Sequence, residues 1–207
     1  MKQPLFIFPF NGNGLEALAC VDDNQFNFIG FIDDTKEKQG KNKLGFTVFS
    51  RDILNEYPDF KILAVPGSPT SYKFRKQIID ELNISTEKFA TVIHPNATVS
   101  KFASIGFNTL IMSGVVITSN GKIGNHVCIL PNSVLHHDSI IEDYTLVGSN
   151  VCIAGNTIIG NNCYVGSGSN IINGITIGDN TLIGLGSNII KSVDANLKIA
   201  GNPARII

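Results

Sequence analysis

Residues 129–159 read ILPNSV LHHDSI IEDYTL VGSNVC IAGNTI I, and their meaning turns on a step of six. Ile129, Leu135, Ile141, Val147, Ile153 and Ile159 open successive hexads. The same step lands on Val99, Ile105, Ile111, Ile117 and Ile123 upstream and on Val165, Ile171, Ile177, Ile183 and Ile189 downstream, so that all sixteen positions are aliphatic. Neither a helix of period 3.6 nor an alternating strand holds a period of six over ninety residues. Stacked coils do, because each hexad supplies one short strand and one corner, and the aliphatic column fills the interior. Four places after the aliphatic residue stands mostly a small one: Ala103, Thr109, Ser133, Ser139, Thr145, Thr157, Cys163, Ser169, Thr181 and Ser187. Gly and Asn crowd the corners, where a positive φ costs least. The repeat predicts a parallel β-helix.

The residue before each aliphatic one is predicted to point outward. Val134, Ile140, Leu146, Cys152, Ile158 and Tyr164 form an apolar set there, confined to the middle coils. A contiguous apolar patch needs cover. The tail after Lys191 is too short to supply it, so the expected cover is another copy of the chain.

Upstream of about Thr91 the grammar changes. Eleven of the sixteen Lys/Arg and twelve of the seventeen Asp/Glu precede residue 91. LFIFPF, FNFIGFID and KILAVPG read as buried strands. GLEALACV, SRDILNEY and SPTSYKFRKQIIDEL read as helices, the last opened by Ser68 and Pro69. Such alternation predicts a small Rossmann-like α/β sheet flanked by helices. The expected domains are 1–92 for this unit and 93–207 for the β-helix with a short C-terminal tail.

Sixteen basic residues against seventeen acidic give no broad basic surface, so nucleic acid and anionic membranes are not expected partners. No stretch approaches the ~20 apolar residues of a membrane span, and the first apolar run is too brief for a signal peptide. Cys20, Cys128, Cys152 and Cys163 show no CxxC spacing, which points to reduced thiols in a cytoplasmic protein.

Against corners of Gly, Asn, Ser and Thr, one corner carries His136, His137 and Asp138, and residues 123–190 contain no Lys or Arg. Imidazole titrates nearest neutrality of all side chains, so it suits the removal of a proton from an attacking nucleophile. A neighbouring carboxylate fixes its tautomer and stabilises the imidazolium. In the N-terminal unit, Gly12, Asn13 and Gly14 lie between a strand and a helix, where backbone N–H groups can hold a diphosphate. Asp33 and Asp34 end the second strand, where carboxylates accept from a base or ribose hydroxyl. The glycine pattern is not a full G-x-G-x-x-G, which argues against a nicotinamide cofactor.

The combination of strand–Gly turn–helix, hexapeptide β-helix, His137–Asp138 in a mid-repeat corner, AGN at 154–156 and GNPAR at 201–205 resembles the NeuD/PglD-type sugar acyltransferases over nearly the whole chain. The resemblance implies a left-handed β-helix and a homotrimer with active sites between subunits. It further implies acetyl-CoA as donor and the amino group of a nucleotide-linked sugar, of the 4-amino-4,6-dideoxy kind, as acceptor. His137 aligns with the family's base, Asp138 with its acidic partner and Gly155 with its oxyanion donor and donor-binding glycine. Lys191, Gly201, Asn202, Pro203 and Arg205 would meet the phosphates of CoA. Gly12, Asn13, Gly14, Asp33 and Asp34 would meet the nucleotide sugar. No metal is expected. The chain departs from the family at Pro9, which stands where a first glycine is common, and at Leu146, which stands where a second histidine follows the base by nine residues. Two other readings remain open: O-acetylation of a sugar of the sialic-acid type, and a non-catalytic hexapeptide-repeat scaffold.

Overall fold

The computed structural model describes residues 2–207. Its N-terminal layer runs β1 (Gln3–Phe8), α1 (Gly12–Leu18), β2 (Phe26–Ile32), β3 (Gly40–Lys41), β4 (Thr47–Phe49), β5 (Lys61–Ala64) and α2 (Arg75–Asp80). The sheet order is β3-β4-β2-β1-β5, parallel throughout except for the edge pair β3–β4. The order reverses between β1 and β5, and α/β sheets open a crevice at the carboxyl ends of such a pair. The side chain of Asn13 donates to Gly67 O at 3.0 Å and ties together the two loops that leave β1 and β5.

Two of the expected helices are shorter than the pattern suggests. Residues Arg51–Glu56 form a 3-10 turn, because Pro58 disfavours helical geometry at Tyr57 and stops the segment. The stretch after Ser68 begins as a 3-10 turn at Tyr72–Phe74 and becomes α-helical only over α2.

From Val92 onward the chain winds as a three-sided prism. Strands pair in parallel with those eighteen residues on, as Val116 with Val134, Lys122 with Ile140 and Cys128 with Leu146, so three hexads make one coil. The first face carries Leu110, Cys128, Leu146 and Tyr164 outward, the second Val116, Val134 and Cys152, the third Lys122, Ile140 and Ile158. The aliphatic column from Ile111 to Ile189 is buried as one core. Small residues serve as internal braces: Ser133 Oγ donates to Gly148 O and accepts from Val151 N–H, one coil on. Corners are left-handed and mostly Asn or Gly, with φ near +55° to +62° at Asn120, Asn132, Asn150 and Asn156.

The apolar outward set is covered differently from the expectation. Leu146 and Tyr164 pack with Leu5, Ile7, Leu63, Val65 and Tyr72 of the N-terminal layer, which sits on the first face. Val134 and Cys152 on the second face, and Ile140 and Ile158 on the third, are left at least partly exposed. Arg75 locks the layer to the prism. Its guanidinium is wholly buried and donates to Pro66 O from the layer and to His126 O from the prism, the latter at 2.7 Å. Asn108 adds a second lock, donating to Ala64 O at 3.0 Å and accepting from Ala64 N–H at 2.7 Å.

Candidate active site

His137 and Asp138 occupy the corner between the second and third faces. Asp138 holds φ +57°, a conformation that Asn and Asp tolerate because they are short and polar. It is the one acid among the described non-glycine residues with positive φ; most of the others are Asn. A neutral Asn would turn this corner equally well, so the negative charge is not there for the turn. The backbone bend lets neighbouring side chains meet: His137 Nδ1 lies 2.8 Å from Asp138 Oδ2. The other carboxylate oxygen accepts from Asn120 Nδ2 at 2.9 Å. The Asn120 amide, and after it His137, hold the Asp138 carboxyl below the usual carboxylate range. Asp138 is thus an acceptor and Nδ1 of His137 carries a hydrogen, so in the neutral ring Nε2 keeps its lone pair.

Gly155 stands one coil below His137 on the same edge, and the imidazole lies over it. A Cβ on Gly155 would come within 2.6 Å of Nε2 and 2.7 Å of Cε1. The N–H of Gly155 donates to no protein acceptor among the described residues. At some equivalent corner positions the next coil supplies one: Asn125 N–H donates to Asp143 Oδ1, Ser149 N–H to Ser167 Oγ and Asn161 N–H to Asp179 Oδ1. A basic nitrogen and an unused backbone donor therefore lie side by side, the two groups that acyl transfer requires. The same edge continues through Asn173 to Lys191, three coils on and about 14 Å away at the strand spacing.

Lys191 and Arg205 line a cavity of about 450 Å³ at the C-terminal end, floored by Ile189, Leu197 and Ile199. Gly201, Asn202 and Pro203 form the exposed turn of the hairpin Lys198–Gly201/Ala204–Ile206 and stand outside that cavity lining. Between cavity and corner, Ala154, Ile172 and Ile190 follow His136 at one-coil steps, Ile172 and Ile190 being exposed. His136 itself makes no side-chain hydrogen bond among the described residues.

In the N-terminal layer, Gly12 opens α1 in free space, and Gly14 is required by packing, since a Cβ there would meet Pro9 O at 2.4 Å. Both aspartates are engaged within the chain. Asp33 is buried and accepts from Lys38 Nζ at 2.7 Å and Thr35 N–H at 3.0 Å. Burial pushes its carboxyl up, but Lys38 and Thr35 together hold it below its ordinary value. Asp34 is paired with Arg51. Sequence reasoning passed over Lys38, whose ammonium also reaches Phe10 O at 3.2 Å and so bridges the ends of β1 and β2. Leu146 lies buried on the first face, its Cδ1 3.4 Å from where a Gly67 Cβ would stand, and so away from the His137 edge of its own chain.

The matches to known proteins follow this architecture. The model of the bacterial transferase hexapeptide repeat (six repeats) matches residues 120–155, the segment that holds the corner and Gly155. The chain carries this repeat in a left-handed β-helix and has the fold of hexapeptide-repeat acetyltransferases. Among solved structures it is similar to the acetyltransferase domain of PglB from Neisseria gonorrhoeae FA1090, at 25% identity and TM-score 0.88, with 100% of each chain covered. PerB from Caulobacter crescentus, in complex with CoA and GDP-perosamine, shares the fold at 21% identity and TM-score 0.85, over 100% of this chain and 98% of that one. WeeI from Acinetobacter baumannii AYE does so at 24% identity and TM-score 0.83, with 100% of each covered. No curated protein matches the chain by sequence.

Proposed function

We propose that the protein is an acetyl-CoA-dependent N-acetyltransferase acting on the amino group of a nucleotide-linked sugar, of the 4-amino-4,6-dideoxy class. The observation that carries this reading is the imidazole with its Nε2 free beside the unused N–H of Gly155. In this reading Nε2 of His137 takes a proton from the amine as nitrogen bonds to the thioester carbonyl carbon. The N–H of Gly155 faces the oxygen that becomes negative. As the C–S bond breaks, the imidazolium returns the proton to the departing thiolate, with Asp138 stabilising its charge in between.

Acetyl-CoA as donor is supported by the PglB domain, which has a structure in complex with acetyl coenzyme A. The cations and apolar stripe of this chain suit such a molecule: Lys191 and Arg205 for its phosphates, Ile190, Ile172 and Ala154 for the arm that leads to His137. A nucleotide sugar as acceptor is supported by the crevice at β1 and β5, with Gly12, Asn13 and Gly14, and by Lys38, whose ammonium reaches Phe10 O beside it. Asp33 and Asp34 would reach the acceptor only by exchanging their internal partners.

The geometry of one chain also favours a shared site. The first face lies under the chain's own N-terminal layer, and the catalytic edge is the one opposite that face. The crevice of one copy and the His137 of the same copy are thus on opposite sides of the prism. The apolar residues of the second and third faces flank the catalytic edge and suit burial against further copies, which supports a homotrimer with sites between subunits. Four free thiols fit a cytoplasmic setting.

The test is acetyl transfer from acetyl-CoA, followed by thiol release, against UDP-, dTDP- and GDP-linked 4-amino sugars, with His137→Ala alongside. Turnover on one of them that falls by more than ~100-fold in the variant is expected. Turnover that survives the substitution removes His137 as base. Silence on every amine together with transfer to a hydroxyl sugar would make the enzyme an O-acetyltransferase.

A further inference from the structure

The carboxylate of Asp138 is held at two points, and only one is the histidine. Its backbone N–H donates to Ser119 O at 3.0 Å, and its Oδ1 accepts from Asn120 Nδ2 at 2.9 Å. Asn120 and Asp138 hold the same corner position one coil apart, with φ +60° and +57°, so their side chains leave the prism in register. Asp138 is about half exposed. A single hydrogen bond between two exposed neighbours is weak and leaves the carboxylate free to rotate. The second anchor removes that freedom.

Side-chain ladders occur elsewhere on the prism: Asn162 donates to Asn180 at a corner and Asn170 to Asn188 between strands, each at 2.9 Å, and Asn125 and Asn161 donate to the carboxylates of Asp143 and Asp179, each at 3.3 Å. None of those acceptors is bonded to an imidazole. The Asn120 bond differs because the other oxygen of its carboxylate acceptor is committed to an imidazole.

We propose that Asn120 is a positioning residue for acetyl transfer: it fixes the carboxylate of Asp138 so that the hydrogen stays on Nδ1 of His137 and the lone pair on Nε2. This rests on His137 being the base. The amide is also the larger of the two influences that keep Asp138 ionised.

Two substitutions test the assignment in the full-length protein. Asn120→Gly keeps the left-handed backbone and removes the amide. Asn120→Asp keeps the shape and turns the donor into a second negative charge. The readouts are kcat, KM for both substrates, the thermal midpoint, and the 15N shifts of the His137 ring nitrogens, identified by their loss in His137→Ala. Asn120→Gly is expected to lower kcat by about 10-fold, with KM within about twofold and the midpoint little moved, and to shift the neutral ring from the Nδ1–H tautomer toward a mixture. Asn120→Asp is expected to lower kcat further. If His137→Ala is inactive while both Asn120 variants keep full kcat and an unchanged tautomer, Asn120 is a ladder residue and the assignment is wrong. If His137→Ala itself stays active, the functional reading fails first, and this one with it.

Discussion

The imidazole of His137 rests on Gly155, its Nε2 only 2.6 Å from where a methyl group on that glycine would stand. The glycine is not there for its backbone torsion, since its φ is not positive. It is there because any side chain would displace the ring. Gly155→Ala therefore separates packing from chemistry. The clashing atoms belong to an exposed, rotatable side chain, so the fold yields cheaply and the thermal midpoint is expected to move little. The imidazole must swing aside, and a displacement approaching 1 Å is enough to cost about 100-fold in rate. Steady-state kinetics beside a thermal melt check this; a fully active Gly155→Ala enzyme would show that the ring has room to spare.

Asp138→Asn isolates the charge. Asn is at home in this corner conformation, and most non-glycine corners of the prism already use it. What changes is that the group facing Nδ1 is no longer an anion. The variant can neither stabilise an imidazolium nor hold the tautomer, so kcat is expected to fall by about 100-fold or more at unchanged stability. Kinetics combined with urea unfolding decide it. A loss of stability matching the loss of rate would mean that the carboxylate serves the corner rather than the base.

The fold was more legible than the site, for a physical reason. A period of six repeated sixteen times is a packing rule written directly in the chain, and it puts His137, Asp138 and Gly155 at corners. That Asn120 stands over Asp138 follows from a coil of eighteen residues, which the hexad period does not state by itself. The N-terminal layer was less readable because its elements are short: Thr47–Phe49 is a strand of three residues and Arg51–Glu56 a 3-10 turn, too brief for periodicity to declare either. Arg75 and Lys38 could not be read at all. Their partners lie on other segments, and nothing in a local window distinguishes a lysine bridging two strand ends from one in solvent. The cover over Leu146 and Tyr164 was misassigned to another copy for the same reason, since the docking of one half on the other leaves no periodic trace.

Arg75 makes a stability prediction. The side chain is wholly buried, it has no acidic partner, and its Nε finds no acceptor among the described residues. Burial lowers its pKa from the ordinary arginine value. It survives there because two carbonyls, Pro66 O and His126 O, depend on it from opposite sides of the junction. Arg75→Ala leaves both carbonyls unpaired and a large void, and is expected to cost about 3–5 kcal/mol. Because the lost contacts join the layer to the prism, chemical unfolding followed by two probes is expected to split into two transitions. A single transition at the wild-type midpoint would show that the apolar contacts alone hold the junction.

His126 gives the same junction a dependence on pH. Its ring stacks on Tyr144 at 4.6 Å between centroids and meets Phe89 and Phe107 edge-on. Asn108 Nδ2 points at its Nδ1 from 2.8 Å, and a donor there requires a lone pair on that nitrogen. Burial, and after it the Arg75 cation, push the pKa down to about 4. The folded state therefore binds its proton more weakly than the unfolded chain, whose histidine titrates near 6.5. The contribution is fully present above about pH 6.5 and is lost as pH falls toward 4, by about 3 kcal/mol in order of magnitude. Urea midpoints taken from pH 7 to pH 4 are expected to decline accordingly. His126→Asn, which keeps the left-handed corner but cannot titrate in this range, is expected to start less stable for want of the stacked ring and then to decline less steeply. Parallel declines in the two proteins would assign the acid sensitivity to the carboxylates and not to the junction.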